Sequence, residues 1–420
     1  MPSVEGVPAR RAALQMLDAV LRRGRTIDSA AQASKGLKAA DQGLAVAITG
    51  EVLRRLPDLD AMIDSATRQR LPDDSKARMV LRIALAQKIG LGTPEHALVA
   101  TALPLVDGGP RRLVHGVLGT LLRRGVPPMD APRLPDAVER RWGMAWGEDV
   151  VAAARRAIAH RPPLDLTFAD PSEPPAFAET TGGRSLAPLH VRLQDSGAVT
   201  ELPGFGEGRW WVQDLAASLP ARLVPAAAPD VLDLCAAPGG KTMQLAAAGH
   251  RVTAVDQAES RLGRLRENLD RTGLGADLIA ADAREWNPRR SFDAILLDAP
   301  CSATGTFRRH PEVLYRARGD IIRSSAGLQR ELLDRASAWL NPGGALIYAV
   351  CSLEPEEGEE IVAAFLHAHP GFEIAPPKPW EVPDFVTSDS LGQVRILPGL
   401  LESEGGLDGF FFARLVRVAA

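Results

Sequence analysis

Cysteine is scarce in this sequence, and long apolar runs are missing. The 420 residues include three cysteines, Cys235, Cys301 and Cys351. So sparse and odd a set does not form a disulfide framework, and no CxxC or Cys/His cluster has the spacing of a zinc site. The first residues lack the apolar core of a signal peptide, and no apolar run approaches the roughly 18 residues that cross a bilayer. We therefore expect a soluble, cytoplasmic protein without a metal site or membrane contact.

The sequence also lacks the strong positive charge of many nucleic-acid binders, since its net charge is −3. The charge is unevenly distributed. Residues 1–131 carry 19 Lys and Arg against 13 Asp and Glu, whereas the rest of the chain carries 30 against 39. A basic first segment fits an appendage that grips a polyanion, and it equally fits a solvated helical surface. Charge alone leaves both interpretations open.

The hydrophobic pattern divides the chain into three parts. Residues 9–126 place apolar side chains at helical spacing, with Gly and Pro between the runs, which predicts an all-α bundle. A proline-rich linker follows, and residues 137–215 combine helical spacing with short apolar alternations, which predicts a small α+β subdomain. Beyond it, short buried-strand patterns alternate with helices, which indicates a parallel sheet. The strand patterns lie at 231–234, 252–256, 293–298 and 345–350, and the predicted domains are 1–130, 131–215 and 216–420.

The string DLCAAPGGKT, residues 233–242, lies between a predicted strand and a predicted helix. Gly239 and Gly240 allow the backbone to approach a ligand closely, and the start of the helix offers free N–H groups. The string matches neither GxGxxG nor the Walker P-loop, so a pyrophosphate site is disfavoured. The turn is a candidate cofactor site. The alternative is a tight strand-to-helix connection that binds nothing.

Two aspartates end the next two apolar runs. Asp256 follows the first turn by about twenty residues, where a carboxylate accepts hydrogen bonds from ribose hydroxyls in dinucleotide-binding folds. Asp282 ends the run after that and could face the adenine end of a nucleoside. Taken singly, each could equally be an ordinary surface aspartate.

Two cysteines follow two further strand patterns. Asp298 and Cys301 come after DAILLD, and Cys351 comes after ALIYAV. One such cysteine is more often a small buried hydrophobic residue, but two at the same edge of a parallel sheet are positioned to converge. One reaction that needs such a set of groups is methyl transfer to carbon 5 of cytosine. A thiolate adds to carbon 6 and makes carbon 5 nucleophilic. A carboxyl assists at the ring nitrogen, and a base later removes the carbon 5 proton. Asp298 and the two cysteines supply these groups.

DLCAAPGGKT, DAPCSATG followed by RRHPE, and CSLEPEE together resemble the RsmB/Sun family of RNA cytosine-5 methyltransferases. The strings WVQDLAAS (211–218) and LPG…DGFFFARL (397–415) agree with the same family, so the resemblance covers residues 137–418. The helical first segment is similar to the NusB-like RNA-binding domain of the RsmB (Sun/Fmu) branch. The resemblance implies a multidomain fold, in which an all-α NusB-like bundle precedes a Rossmann-like α/β class I methyltransferase core with a small α+β connector subdomain.

The resemblance also assigns roles to residues. It implies that S-adenosyl-L-methionine binds the loop 235–241, Asp256 and Asp282, with Asp298 at the junction of cofactor and target base. It makes Cys351 the nucleophile and Cys301 the residue that assists product release, which spacing alone does not distinguish. The implied loop residues are Cys235, Ala236, Ala237, Pro238, Gly239, Gly240 and Lys241.

The implied reaction is methyl transfer to carbon 5 of a cytosine in RNA, with small-subunit (16S) ribosomal RNA as the substrate. The sequence does not fix the oligomeric state, for which we expect a monomer. The same chemistry on tRNA or another RNA is one alternative, and a non-catalytic RNA-binding or assembly factor is another. A nicotinamide-dependent oxidoreductase is disfavoured because GxGxxG is missing. Two features stay open: Trp210 and Trp211 could stack on bases or pack inside, and residues 308–310 (Arg-Arg-His) could contact phosphate or lie in a solvated loop.

Overall fold

The computed structural model describes residues 5–194 and 197–418, so the first four residues of the N-terminal segment lie outside it. The chain forms two compact units. Among the described residues, one contains positions 5–161 together with Phe307–Arg316, and the other contains positions 162–194, 197–306 and 317–418. The domain boundaries that the sequence predicted, after residues 130 and 215, stay a prediction.

The first unit is helical, as the apolar spacing predicted. In its first helix Ala13, Met16, Leu17 and Val20 recur every three or four residues and are all buried, so one stripe of the helix faces the core. The helices are α1 (Val7–Leu21), α2 (Ile27–Ala30), α3 (Ala39–Ser65), α4 (Lys76–Gly90), α5 (Glu95–Ala102), α6 (Gly108–Arg124), α7 (Asp136–Trp146), α8 (Glu148–Ala159) and, from the later segment, α13 (Val313–Arg316).

Helix α3 contains a proline whose missing N–H is compensated by the later segment. Pro57 cannot donate to the carbonyl of Leu53, the residue one helical turn earlier. Tyr315 donates a hydrogen bond from its hydroxyl to that carbonyl at 2.8 Å. The segment 307–316 therefore satisfies a backbone acceptor that α3 leaves without a helical partner.

The second unit begins with a small antiparallel sheet. β1 (Leu164–Phe168) lies between β2 (His190–Leu193) and β3 (Trp210–Val212), and α9 (Glu173–Thr181) packs against β2. Trp210 and Trp211 are 0% and 2% exposed. Of the two interpretations of this pair, packing is therefore confirmed and base stacking is wrong.

The larger sheet has the Rossmann-like arrangement that the sequence predicted. Within the described ranges eight strands form it, in the order β10-β11-β8-β7-β4-β5-β6, with β9 paired to β11. Strands β4, β5, β6, β7 and β8 run parallel to one another. β11 runs antiparallel to β8. The strands are β4 (Asp230–Leu234), β5 (Arg251–Asp256), β6 (Asp277–Ala280), β7 (Phe292–Asp298), β8 (Leu340–Val350), β9 (Phe372–Ile374), β10 (Val394–Ile396) and β11 (Phe410–Arg417).

Helices connect these strands and place four loops at one edge of the sheet. The chain proceeds from β4 outward to β6 and then returns to β7 on the other side of β4. Ligands in such sheets bind at the carboxyl ends of the strands, where the direction of strand order switches. The loops after β4, β5, β7 and β8 all lie at that edge. The remaining helices are α10 (Leu215–Ser218), α11 (Gly240–Ala247), α12 (Glu259–Thr272), α14 (Gly319–Ala338) and α15 (Glu359–Ala368).

Candidate active site

The loop after β4 turns sharply into α11. Cys235 has a φ of 62° and Gly239 a φ of 108°, both in the left-handed region. A Cβ at Gly239 would lie 2.1 Å from Cδ1 of Leu265, so this position has no room for a side chain. α11 begins at Gly240, which leaves its first N–H groups at the mouth of the turn. The strand–turn–helix arrangement predicted for DLCAAPGGKT is confirmed.

A buried aspartate fixes this helix to β4. Asp233 is fully buried, and its Oδ2 accepts a 2.6 Å hydrogen bond from the hydroxyl of Thr242. Burial raises the pKa of Asp233 to about 7, against the opposing effect of the Thr242 hydrogen bond. Sequence reasoning assigned no role to this residue. The available signal was a charged residue in the interior of a buried-strand pattern.

A cavity of about 210 Å³ opens beside the loop. Its lining includes Cys235, Asp256 and Asp282, which the sequence had placed at the ends of three successive apolar runs. Pro300, one residue before the second cysteine, also lines it. The structure therefore brings three of the predicted cofactor residues around one space, whereas residues 236–241 and Asp298 are not part of this lining. The cofactor-binding role of all of them stays a prediction.

Hydrogen bonds fix both acids of the cavity. Asp256 is buried and accepts hydrogen bonds from the backbone N–H of Ala258 at 2.9 Å and from Nη2 of Arg261 at 2.8 Å. Asp282 accepts bonds from the guanidinium and the backbone N–H of Arg284, and these bonds lower the pKa of Asp282. Asp282 therefore remains a charged hydrogen-bond acceptor at neutral pH.

The surroundings of Cys235 keep its thiol protonated, so it is not a nucleophile. Burial, together with the nearby charges of Asp298 and Asp256, raises the pKa of Cys235 far above the ordinary value of a thiol. The thiolate is the reactive form of cysteine. Cys235 therefore lines the cavity as a neutral group.

Lys241 connects the cofactor loop with the strand that ends at Asp298. Its Nζ donates a 2.8 Å hydrogen bond to Oδ2 of Asp298. Burial alone would lower the pKa of Lys241, but the charge and hydrogen bond of Asp298 and the nearby Cys351 outweigh it and raise the pKa. Lys241, the last residue of the loop 235–241, is therefore a charged group near Asp298 and Cys351.

The two later cysteines converge, as their places at two strand ends predicted. β7 and β8 are neighbouring parallel strands, and the Sγ atoms of Cys301 and Cys351 lie 3.5 Å apart. Both residues are partly exposed. The hydrogen bond with Cys351 and burial raise the pKa of Cys301, so Cys301 holds its proton at neutral pH.

Sequence reasoning missed the polar residues that hold these two cysteine loops. Glu357 accepts hydrogen bonds from Ser302 and Ser352, the residues that follow the two cysteines. Gln329 on α14 donates to the carbonyl of Pro300 at 2.9 Å. Glu357 belongs to the quoted string CSLEPEE, but nothing in the spacing indicated that its side chain turns inward.

The solvated-loop interpretation of the basic run after Cys301 is wrong for Arg308, whereas the side chain of His310 is 44% exposed. Arg308 is 2% exposed and belongs, with the whole segment 307–316, to the first compact unit. The phosphate contact that was the other interpretation stays a prediction.

Two exclusions hold for the part of the chain that the structure describes. None of its helices is long and apolar enough to cross a membrane. Its His, Cys, Asp and Glu side chains form no group of three or more that could hold a metal ion.

Comparison with known proteins connects both parts of the chain to known families. Residues 220–416 match the family model described as 16S rRNA methyltransferase RsmB/F, and residues 7–123 match the NusB family. The NusB-like first segment and the Rossmann-like methyltransferase core predicted from the sequence are thereby confirmed.

Full-length relatives agree with both matches. Ribosomal RNA small subunit methyltransferase B of Pseudomonas putida is 35% identical, over 98% of this chain and 99% of the relative. The protein of that name from Vibrio cholerae is 33% identical, over 97% of this chain and 96% of the relative. A solved methyltransferase homologue from Pyrococcus horikoshii superposes with a TM-score of 0.56 at 27% identity, covering 71% of this chain and 98% of its own. This chain therefore belongs to the ribosomal RNA small subunit methyltransferase B family, whose cofactor is S-adenosylmethionine.

Proposed function

We propose that this protein methylates carbon 5 of a cytosine in small-subunit ribosomal RNA through a covalent adduct with Cys351. The observation that carries the proposal is the pair of thiols, 3.5 Å apart, at the strand end where Lys241 pairs with Asp298. A methyltransferase that acts on oxygen or nitrogen has no need of a thiol nucleophile, whereas an unreactive ring carbon requires one. The relatives are named for small-subunit ribosomal RNA, which supports that substrate.

The residues around the cavity fit S-adenosylmethionine. The Asp256 carboxylate lies buried at the cavity wall, and Cys235 and Asp282 line the same space. In the proposal the loop 235–241 cradles the cofactor, Asp256 accepts from the ribose hydroxyls, and Asp282 faces the adenine end. The cofactor supplies an electrophilic methyl group when it is bound.

Cys351 is the proposed nucleophile. Its thiolate adds to carbon 6 of the cytosine, forming a carbon–sulfur bond and moving the ring electrons toward carbon 5, which then attacks the methyl group. Asp298 lies one-third exposed beside Lys241, and in the proposal its carboxyl carries the proton that is donated to the ring nitrogen as electron density enters the ring. Lys241 keeps this carboxyl in place through their 2.8 Å hydrogen bond.

Cys301 is the proposed group for product release. Loss of the carbon 5 proton restores the aromatic ring and breaks the bond to Cys351. In the proposal the thiol of Cys301, 3.5 Å from Cys351, gives its own proton to the departing Cys351 sulfur and takes up the carbon 5 proton in its place, so both cysteines end as thiols.

The experiment that tests the proposal maps 5-methylcytosine by mass spectrometry. Unmodified small-subunit ribosomal RNA is incubated with enzyme and S-adenosylmethionine, with Cys351→Ala as the control. We expect one new 5-methylcytosine that is missing in the control.

Other outcomes separate the alternatives. Methylation of tRNA but not of ribosomal RNA would retain the chemistry and replace the substrate. An active Cys351→Ala enzyme would contradict the assignment of the nucleophile. Failure to bind S-adenosylmethionine by calorimetry would favour a non-catalytic RNA-binding factor.

A further inference from the structure

Glu357 connects the two cysteine loops through a single buried carboxylate. It lies in the short 3-10 turn Pro355–Glu357 after β8 and is completely buried. Its Oε1 accepts from the backbone N–H of Ser302 at 2.8 Å, and its Oε2 accepts from the hydroxyls of Ser302 and Ser352 at 2.5 Å each. Ser302 follows Cys301 and Ser352 follows Cys351, so one side chain ties together the neighbours of both thiols.

The turn that carries Glu357 is itself held in place. The hydroxyl of Tyr348 donates to the Glu357 backbone carbonyl at 2.6 Å, and Nε2 of Gln329 lies 3.5 Å from Oε1. Gln329 also donates to the carbonyl of Pro300. Burial raises the pKa of Glu357, but every partner of the carboxylate named above is a donor, which is the arrangement that an ionised carboxylate needs.

We propose that Glu357 is a positioning residue that fixes the two cysteine loops against each other and holds its negative charge near Cys301. The inference rests on the proposed function, in which Cys351 attacks the base and Cys301 acts later. Two thiols in contact compete for one negative charge, because ionising either disfavours ionising the other. A carboxylate near Cys301 disfavours ionisation of that thiol.

The charges around the thiol pair are asymmetric in the sense that the proposal needs. The hydrogen bond with Cys351 and burial are the main causes of the raised pKa of Cys301. The charges of Cys351 and Glu357 raise it further. On the other side, the Lys241 ammonium interacts with Cys351. Tyr348 also faces Cys301 and Glu357, but burial raises its pKa so that the phenol stays neutral.

Two further charged groups face the turn that carries Glu357. Glu354 lies close enough for its charge to contribute to the raised pKa of Glu357. The guanidinium of Arg395 donates to the carbonyl of Ser352 and pairs with Glu359. Arg395 therefore supports the Cys351 loop from the backbone, whereas Glu357 reaches both loops.

The test separates the charge of Glu357 from its tether. Glu357→Gln keeps the shape and most of the hydrogen-bonding capacity but removes the charge, whereas Glu357→Ala removes both. Glu360→Ala, an exposed carboxylate three residues later at the start of α15, is the matched control. Each purified protein is alkylated with iodoacetamide between pH 6 and 10, and peptide mass spectrometry gives separate rates for Cys301 and Cys351.

We expect Cys351 to react faster than Cys301 in the wild-type protein. In Glu357→Gln the rate of Cys301 at pH 8 should rise about tenfold, the effect of lowering a thiol pKa by about one unit, while the rate of Cys351 changes little. In Glu357→Ala, kcat for methyl transfer should fall about 100-fold, with KM for RNA nearly unchanged, because displaced reacting groups cost that much. Glu360→Ala should match the wild type in both measurements.

Either an unchanged Cys301 rate in Glu357→Gln or an unchanged kcat in Glu357→Ala would overturn the proposal. Alkylation requires no RNA, so it tests the role of Glu357 even if the wild-type enzyme methylates no cytosine. If the alkylation rates change as expected but the wild-type enzyme methylates no cytosine, the proposed function is rejected and the role of Glu357 is retained.

Discussion

Three thiols share one edge of the large sheet, and their surroundings give each a different chemistry. Cys235 lies among aspartates in the cofactor cavity, where burial and negative charge keep its proton in place. Cys301 and Cys351 lie in contact, with Glu357 on one side and Lys241 on the other. The thiol alone therefore does not define a nucleophile, because neighbouring charges change how readily a thiol ionises.

Replacing Cys301 should trap the enzyme on its product. In Cys301→Ser the Cys351 sulfur still adds to the base, but removal of the carbon 5 proton is slowed, so the covalent protein–RNA adduct accumulates. A denaturing gel with labelled RNA should show a slow band that is weak in the wild type. The double variant with Cys351→Ala is the control, and a band that persists in it would contradict the assignment.

The buried pair of Asp165 and Arg192 should be the most costly ion pair to break in the small sheet. Two 2.7 Å hydrogen bonds join them, and both side chains are at most 1% exposed. Arg192→Met leaves a buried carboxylate without its main partner, which should lower the free energy of unfolding by about 3–5 kcal/mol in a urea titration. Arg251→Met, which breaks the exposed pair with Asp230, is the control and should change it far less.

The same pair predicts a pH dependence. Burial would raise the pKa of Asp165, but the two hydrogen bonds from Arg192, together with the nearby imidazole of His190, outweigh it and lower the pKa. A depressed carboxyl pKa contributes stability above its unfolded value of about 3.9 and loses that contribution as the pH falls toward the folded value. The difference in stability between the wild type and Arg192→Met should therefore shrink below about pH 4.

At the scale of elements, the loop after β7 passes unusually close to the start of β11. The N–H of Gly305 donates to the carbonyl of Cys351 at 3.0 Å, and the N–H of Gly409 donates to the carbonyl of Gly305 at 2.9 Å. A Cβ at Gly305 would lie 1.9 Å from the carbonyl oxygen of Gly409. Only glycine permits this approach, which places the Cys301 loop against the Cys351 loop.

Gly305→Ala should therefore destabilise the protein and disturb the thiol pair. We expect a loss of more than about 2 kcal/mol in the free energy of unfolding, because the clash is with backbone and a strand or loop must move. Gly263→Ala in α12 is the matched control, since no atom lies within 4 Å of its added Cβ. That change should stabilise by about 0.5–1 kcal/mol, and equal effects of the two substitutions would contradict the packing argument.

At the scale of the whole molecule, the chain returns to its first compact unit in the middle of the second. The segment 307–316 directly follows the Cys301 loop, and its Glu312 accepts a 3.0 Å hydrogen bond from the N–H of Ile27. Phe307 packs edge-on against Trp142 with ring centroids 5.4 Å apart. The helical unit is therefore completed by residues that begin almost 150 positions after the end of α8.

Removing the hydrogen bond from Tyr315 to Leu53 tests whether the segment 307–316 stabilises α3. Tyr315→Phe leaves a buried carbonyl without a donor and should cost about 1–3 kcal/mol of unfolding free energy. Pro57→Ala restores an N–H to α3, so in that background Tyr315→Phe should cost clearly less. A double-mutant cycle in urea measures the difference, and equal costs in both backgrounds would show that the helix gap is not what Tyr315 fills.

Local patterns carried much of this structure. The apolar spacing of α1, the strand patterns that became β4, β5, β7 and β8, and the glycine turn at Gly239 all depend on residues within a few positions of each other. The meeting of Cys301 with Cys351 was also predictable, because parallel neighbouring strands bring their ends to one edge. Topology rules converted those local patterns into a site.

The sequence by itself determined the helical first segment, the Rossmann-like order of elements and the edge at which the predicted site residues lie. Only the tertiary structure decided that Glu357 turns inward to join two loops, that the tryptophan pair is buried, and that residues 307–316 belong to the helical unit. The physical reason is range. Periodicity and turn chemistry act between near neighbours, whereas these contacts join residues 55 and 262 positions apart and depend on how whole elements pack.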